Sequence, residues 1–205
     1  MADKFLDAVK DRKSLYKLKA ESPIPDSKIQ EIVEVAIMHS PSTYNVQSAR
    51  AVILFGEQSA KLWDIALKHM EPALAGSPMK DHVVSRIALH RASKGTVLWF
   101  EDQNALDALG EKSPMIKPLL EEWSNHSSGI HQFVAWAALE AEGLGANLQH
   151  YNFHPGFVAE VASTFDLPDP AIWKPKSQLV FGTPTGDREY PRAYEPLDKR
   201  VLVKA

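Results

Sequence analysis

One stretch restricts the possible folds more than any other. From Ser127 to Ala146, the residues Ile130, Phe133, Val134, Ala135, Trp136, Ala137, Ala138, Leu139 and Ala141 are apolar around nearly the whole circumference of a helix. A helix of that kind is buried on most sides, in the centre of a large core or at an interface between subunits. It is too short for a bilayer and carries His131, Gln132, Glu140 and Glu142; no other stretch is long and apolar enough to span one. It ends at Gly143-Leu144-Gly145, where glycine is the favoured cap, and the polar run Asn147-Leu148-Gln149-His150-Tyr151-Asn152 follows.

Enclosing such a helix takes a sizeable core. The 205 residues, 44% hydrophobic, suit one domain over 1–205 or two small, closely merged ones. The absence of cysteine excludes disulfide frameworks, thiolate metal sites and cysteine nucleophiles. A net charge of −3 with no basic run leaves no case for nucleic acid. The N-terminal residues lack the apolar core of a signal peptide, so the expected location is cytoplasmic.

Periodicity predicts a short helix over 3–9, a helix capped by Asp26 and ending near His39, a helix capped by Ser59, and helices over 83–92 and 158–165. Two short helices are predicted at 103–109 and 115–123, the second starting or kinking at Pro118. Buried strands are predicted at 51–55, 95–101 and 177–182. From Pro184 onward the chain reads as a proline-rich arm with an apolar strand at Val201-Leu202-Val203, better suited to wrapping over another surface, such as a second subunit, than to folding on itself.

Between the helix ending at His39 and the strand at 51–55 lies Ser40-Pro41-Ser42-Thr43-Tyr44-Asn45-Val46-Gln47-Ser48. It reads either as a turn-forming loop or as hydroxyls and amides held ready for a ligand. Arg12-Lys13-Ser14 and Lys199-Arg200 are either solvated surface or, together, a phosphate site, since arginine forms bidentate bonds with phosphate. No Gly-x-Gly-x-x-Gly, P-loop or nucleophile elbow is present. His150 and His154 have a metal-ligand spacing only in a helix, which Asn152 and Pro155 oppose; no metal site is expected, and His126 and His131 read as capping or surface groups.

In this order, Arg12-Lys13-Ser14, Pro41-Ser42-Thr43-Tyr44-Asn45-Val46-Gln47, the apolar helix closing at Gly143-Leu144-Gly145, and Arg200 resemble the flavin-dependent nitroreductase family. Gln149-His150-Tyr151-Asn152 and the tail Glu195 to Val201 resemble its branch of yeast fatty-acid-repression-type proteins and their bacterial relatives. Ser48-Ala49 departs from the family's usual Pro-Trp. The resemblance implies an α+β fold with a central mixed, mainly antiparallel sheet flanked by helices, in an interlocked homodimer with C-terminal arm exchange. It implies FMN as cofactor, NADH or NADPH as co-substrate, and a small nitroaromatic or quinone-like electron acceptor reduced in a ping-pong cycle. The alternative is a flavin-binding redox or stress-response protein with little reductase activity. By resemblance, Arg12, Ser14 and Arg200 hold the phosphate and ribityl chain, and Lys13 and Tyr16 also belong to the cofactor-binding set. Ser42, Asn45 and Gln47 reach the flavin, and Leu148, Gln149 and His150 lie along its ring. No residue is assigned as an obligatory acid or base.

Overall fold

A computed structural model of the chain describes residues 2–187, 189 and 191–204. Its centre is an antiparallel sheet with the order β2–β3–β5, where β2 is Ala49–Phe55, β3 is Gly95–Asp102 and β5 is Trp173–Pro184. The far side of β5 pairs with both β4 (Gly145–Gln149) and the two-residue β1 (Leu18–Lys19). All named pairs are antiparallel, and the mixed character rests on one isolated parallel bridge, Ser14 to Ala146.

Both faces are covered. One carries α2 (Asp26–His39) and α6 (Leu120–Ala141), packed on Val97, Trp99, Ala146, Leu179 and Phe181. The other carries α3 (Gly56–Ala73), α4 (Lys80–Arg91) and α7 (Pro155–Thr164), packed on Leu54, Leu98, Phe100 and Val180. The alternation Val97/Trp99 against Leu98/Phe100 along β3 is what period-two geometry requires of a strand with a core on each side. Helices α1 (Ala2–Asp11) and α5 (Gln103–Lys112) lie outside these layers' centre. At Gly95 an added Cβ would stand 2.6 Å from the Leu54 carbonyl, so only glycine lets β3 enter the sheet so close to β2.

The long apolar helix is there, with corrections. It begins at Leu120, so the second helix expected at 115–123 is a 3-10 turn (Lys117–Leu119) running into α6. Its buried apolar residues are Leu120, Ala135, Ala137 and Leu139; between Leu120 and Ala135 it buries Ser124, Ser127, Ser128, His131 and Gln132. These are satisfied inside the helix, Ser124 on the Glu121 carbonyl and Gln132 on Ser128 Oγ. His131, expected at the surface or a cap, is 2% exposed, with Nδ1 on the Ser127 carbonyl. The helix closes as expected at Gly143, with φ of +86° and Leu144 N–H reaching back to Leu139 O.

Other boundaries also move. Strand β4 was not expected: Gly-Ala-Asn-Leu-Gln lacks β-branched residues, and its pairing with β5 overrides that weak propensity. Strand β2 is an edge strand whose Val52, Ile53 and Phe55 are half-buried, rather than a buried one. Asp26 does not cap α2 but occupies its first turn, paired with Lys94 Nζ at 2.9 Å. Ser59 lies inside α3, its hydroxyl 2.8 Å from Thr96 Oγ1. The apolar residues 201–203 form no strand among the described residues.

Candidate active site

Residues 12–16 cross the outer edge of β4. Leu15 N–H donates to Ala146 O at 2.9 Å, and Asn147 Nδ2 donates to Leu15 O at 2.7 Å. Asn147 is fully buried, and its Oδ1 accepts from Gln149 Nε2 at 2.8 Å. The structure thus brings the segment that carries Arg12, Lys13, Ser14 and Tyr16 against Ala146 and Asn147, in the strand that also carries Leu148 and Gln149, although the two segments are more than 130 positions apart. An Asn147→Leu substitution should cost about 1–3 kcal/mol by stranding the Leu15 carbonyl. A urea midpoint unchanged in Asn147→Leu would show that this bond does not hold the segment.

Each member has a definite setting. The Arg12 guanidinium carbon lies 4.2 Å from the Trp136 ring centroid, and its carbonyl accepts from Arg192 Nη2 at 2.8 Å. Lys13 N–H donates to Glu140 Oε2 at 2.7 Å, and its Nζ pairs with Asp187 at 3.0 Å. Burial pushes the Glu140 carboxyl up, opposed by that Lys13 amide and by Trp136 Nε1. His150 is exposed, and Leu148 and Gln149 are half-buried. Arg200 lies on the exposed tail at the end of the 3-10 turn Leu197–Lys199.

Beneath Tyr16 lies a group that sequence reasoning missed. The Arg86 guanidinium carbon is 4.1 Å from the Tyr16 ring centroid; Nη2 pairs with Glu189, while Nη1 is buried with no hydrogen bond among the described residues. His90, one turn on, is fully buried against Trp63 at 4.6 Å and near Tyr16 and Tyr151. Burial lowers its imidazole to about 3, with Arg86 adding to the effect and the Gln149 side chain opposing it. Burial likewise pushes Tyr151 up to about 12. No motif marks Arg86 and His90; their i, i+4 spacing on α4 is the one local signal.

Ser42, Asn45 and Gln47 are elsewhere. They line an open cleft of about 1010 Å³ shared with Ile37, Met38, Arg50, Ile53 and His131. Strand β2 is separated from β4 by β3 and β5, roughly 14 Å at ordinary strand spacing, so one protomer carries the two groups at opposite sheet edges. The loop is strained: Tyr44, Asn45 and Gln47 have φ of 49°, 53° and 51°. Asparagine tolerates this region, whereas for Tyr44 and Gln47 it costs about 1–3 kcal/mol each. Tyr44, 69% exposed, stacks on Trp123 at 6.4 Å.

An antiparallel sheet between a two-helix and a three-helix layer, with a basic N-terminal strap docked on its edge strand, defines an α+β protein of the nitroreductase fold. The family model for nitroreductases matches residues 9–183. The Saccharomyces cerevisiae proteins HBN1 and FRM2, the latter a nitroreductase, are 34% and 32% identical to the chain. The HBN1 match spans 192 residues, 91% of this chain and 92% of the yeast protein; the FRM2 match covers 88% of each. The solved nitroreductase CinD of Lactococcus lactis, in complex with nicotinic acid, superposes with a TM-score of 0.88 at 31% identity, covering 98% of this chain and 100% of CinD. A nitroreductase-fold protein of Desulfovibrio desulfuricans, solved with FMN, shares the fold with a TM-score of 0.68 at 20% identity, covering 98% of this chain and 96% of that one. The chain belongs to the nitroreductase family.

Proposed function

We propose that the chain is an FMN-dependent oxidoreductase that takes reducing equivalents from NADH or NADPH and passes them to nitroaromatic or quinone-like acceptors by a ping-pong mechanism. The observation that carries this reading is the docking of Arg12–Tyr16 on Ala146 and Asn147 at the edge of β4, the strand that runs on into Leu148, Gln149 and His150. It sets a basic segment beside a strand edge that pairs with it only at Ala146. The residues fit FMN: Arg12, Lys13 and Ser14 supply cations and a hydroxyl for a phosphate. Arg86 Nη1 is a buried donor next to Tyr16 with no hydrogen-bond partner among the described residues, and backbone and amide groups of Leu148, Gln149 and His150 suit a polar ring edge. When bound, the flavin supplies reversible hydride chemistry, which no side chain offers. The protein's part is to hold the cofactor, limit water and present the acceptor.

A homodimer completes this site. Ser42, Asn45 and Gln47 lie across the sheet from Arg12 in one protomer, so both groups serve one cofactor only if a second copy supplies one of them. Three exposed apolar features fit such a partner: the open side of edge strand β2, Met38 and Ile130 around the cleft, and Leu197, Val201, Leu202 and Val203 on the tail, whose exchange also carries Arg200. Tyr44 and Trp123 offer an aromatic surface against which a planar acceptor packs. CinD has been solved with 4-nitrophenol and with chloramphenicol, both nitroaromatic, which favours acceptors of that class here.

The test is spectroscopic and then kinetic. Purified protein should show flavin absorbance, or gain it with added FMN, and should oxidise NADH or NADPH with a nitroaromatic acceptor. A protein that retains no flavin once excess FMN has been removed by gel filtration is not an FMN enzyme; one that retains it but does not oxidise either nicotinamide is a flavin-binding protein of another role.

A further inference from the structure

The loop bearing Ser42, Asn45 and Gln47 is closed by its own bonds but not fixed by them. Gln47 N–H donates to Ser42 Oγ at 3.1 Å, Asn45 N–H to Ser42 O at 2.9 Å and Val46 N–H to Thr43 O at 2.9 Å. With three non-glycine residues at positive φ, a loop of this kind relaxes unless its surroundings over-determine it. Its ties to the sheet begin immediately after Gln47, at the position where this chain departs from the family's Pro-Trp.

Four contacts make those ties. The Ser48 hydroxyl, 1% exposed, donates to Glu101 Oε2, and Asp102 N–H donates to Ser48 O at 2.8 Å. Arg50 Nη1 donates to Gln47 O at 2.8 Å and to Ala49 O at 2.9 Å, gripping the last left-handed residue by its carbonyl. Arg50 Nη2 is braced by Asp102 Oδ2 at 2.7 Å, and Asp102 Oδ1 caps α5 through Asn104 N–H at 3.0 Å. The clamp therefore runs from the loop into the end of β3 and the start of α5, both rigid elements. Glu101 is 1% exposed, and its second oxygen makes no hydrogen bond.

We propose that Glu101, acting through the Ser48 hydroxyl, and Arg50, braced by Asp102, are positioning residues that hold the Ser42–Gln47 loop in its left-handed form and thereby set flavin affinity. The proposal rests on the reading above that this loop contacts FMN. The serine that replaces the family's proline is here a working part, because proline has no hydroxyl to give to a buried carboxylate. Burial pushes the Glu101 carboxyl up, with Ser48, Lys176 and Arg50 opposing and Asp102 adding. A neutral acceptor of the same shape is therefore a suitable substitute at this site.

The experiment is titration of the full-length apoprotein with FMN, followed by flavin fluorescence. Ser48→Ala should raise the dissociation constant about tenfold, the worth of one hydrogen bond to a charged or buried partner. Glu101→Gln should stay within about threefold of wild type, because its amide oxygen still accepts from Ser48. Asn45→Ala should weaken binding, and Ser48→Ala should cost less in the Asn45→Ala background than in the wild type, since Ser48 acts through the loop. Additive losses, an unaffected Ser48→Ala, or a Glu101→Gln as poor as Ser48→Ala each overturn the clamp. If Asn45→Ala loses affinity while Ser48→Ala does not, the clamp alone is wrong and the flavin site stands. A wild type that binds no FMN removes the functional reading and the clamp with it.

Discussion

Arg12→Ala is expected to leave the protein almost without flavin. A guanidinium holding a phosphate through a fork makes two charge-assisted hydrogen bonds. Losing them is worth about 3 kcal/mol, or roughly a hundredfold in dissociation constant. Arg12 is suited to that task because it is already ordered, its head group held 4.2 Å from the Trp136 ring and its carbonyl bound by Arg192. An ordered fork loses little further freedom on binding. Arg12→Lys keeps the charge and loses the fork, so it should fall between, about tenfold weaker than wild type. FMN titration of the three proteins distinguishes the cases. Equal dissociation constants for Arg12→Ala and wild type would take Arg12 out of the site and leave Arg86 as the cation to test.

His90 should make the fold sensitive to mild acid. Its imidazole is neutral in the folded protein, lowered to about 3 mainly by burial and then by Arg86, and it returns to about 6.5 on unfolding. Between those values the unfolded chain binds the extra proton, so stability falls as pH falls. The contribution is complete above about pH 6.5, loses about 1.4 kcal/mol for each pH unit below it, and reaches on the order of 4–5 kcal/mol near pH 3. At pH 4.5 the loss is on the order of 3 kcal/mol. In His90→Phe, which keeps an aromatic ring against Trp63, the urea midpoint should fall less between pH 7 and pH 4.5 than in wild type. Parallel pH profiles for the two proteins would show that His90 is not the group responsible.

How much of the site was legible depended on how locally each part is specified. Arg12-Lys13-Ser14, the Ser42–Gln47 run and Gln149-His150 are contiguous strings, and contiguity made them visible without a structure. Arg86 and His90 were invisible because what distinguishes them is company: Tyr16, Gln149 and Tyr151 come from segments that the sheet gathers. On α4 alone they are two polar residues of an unremarked helix. The same holds for Glu101, which alternation places inside β3 but which only the neighbouring strand supplies with Ser48.

The amino-acid order by itself determined the long central helix and its glycine closure, the strands of the sheet's centre and the residue types of the segment proposed to bind phosphate. Those are consequences of periodicity, capping and turn chemistry, which act over a few residues. Tertiary structure alone decided that Gly145–Gln149 is a strand, that Ser127 and His131 are buried and that β2 is an edge. It also set the two halves of the candidate site on opposite sides of the sheet. Pairing and burial are set by partners distant in the chain. They override local preference wherever that preference is weaker than the packing and hydrogen bonding those partners provide.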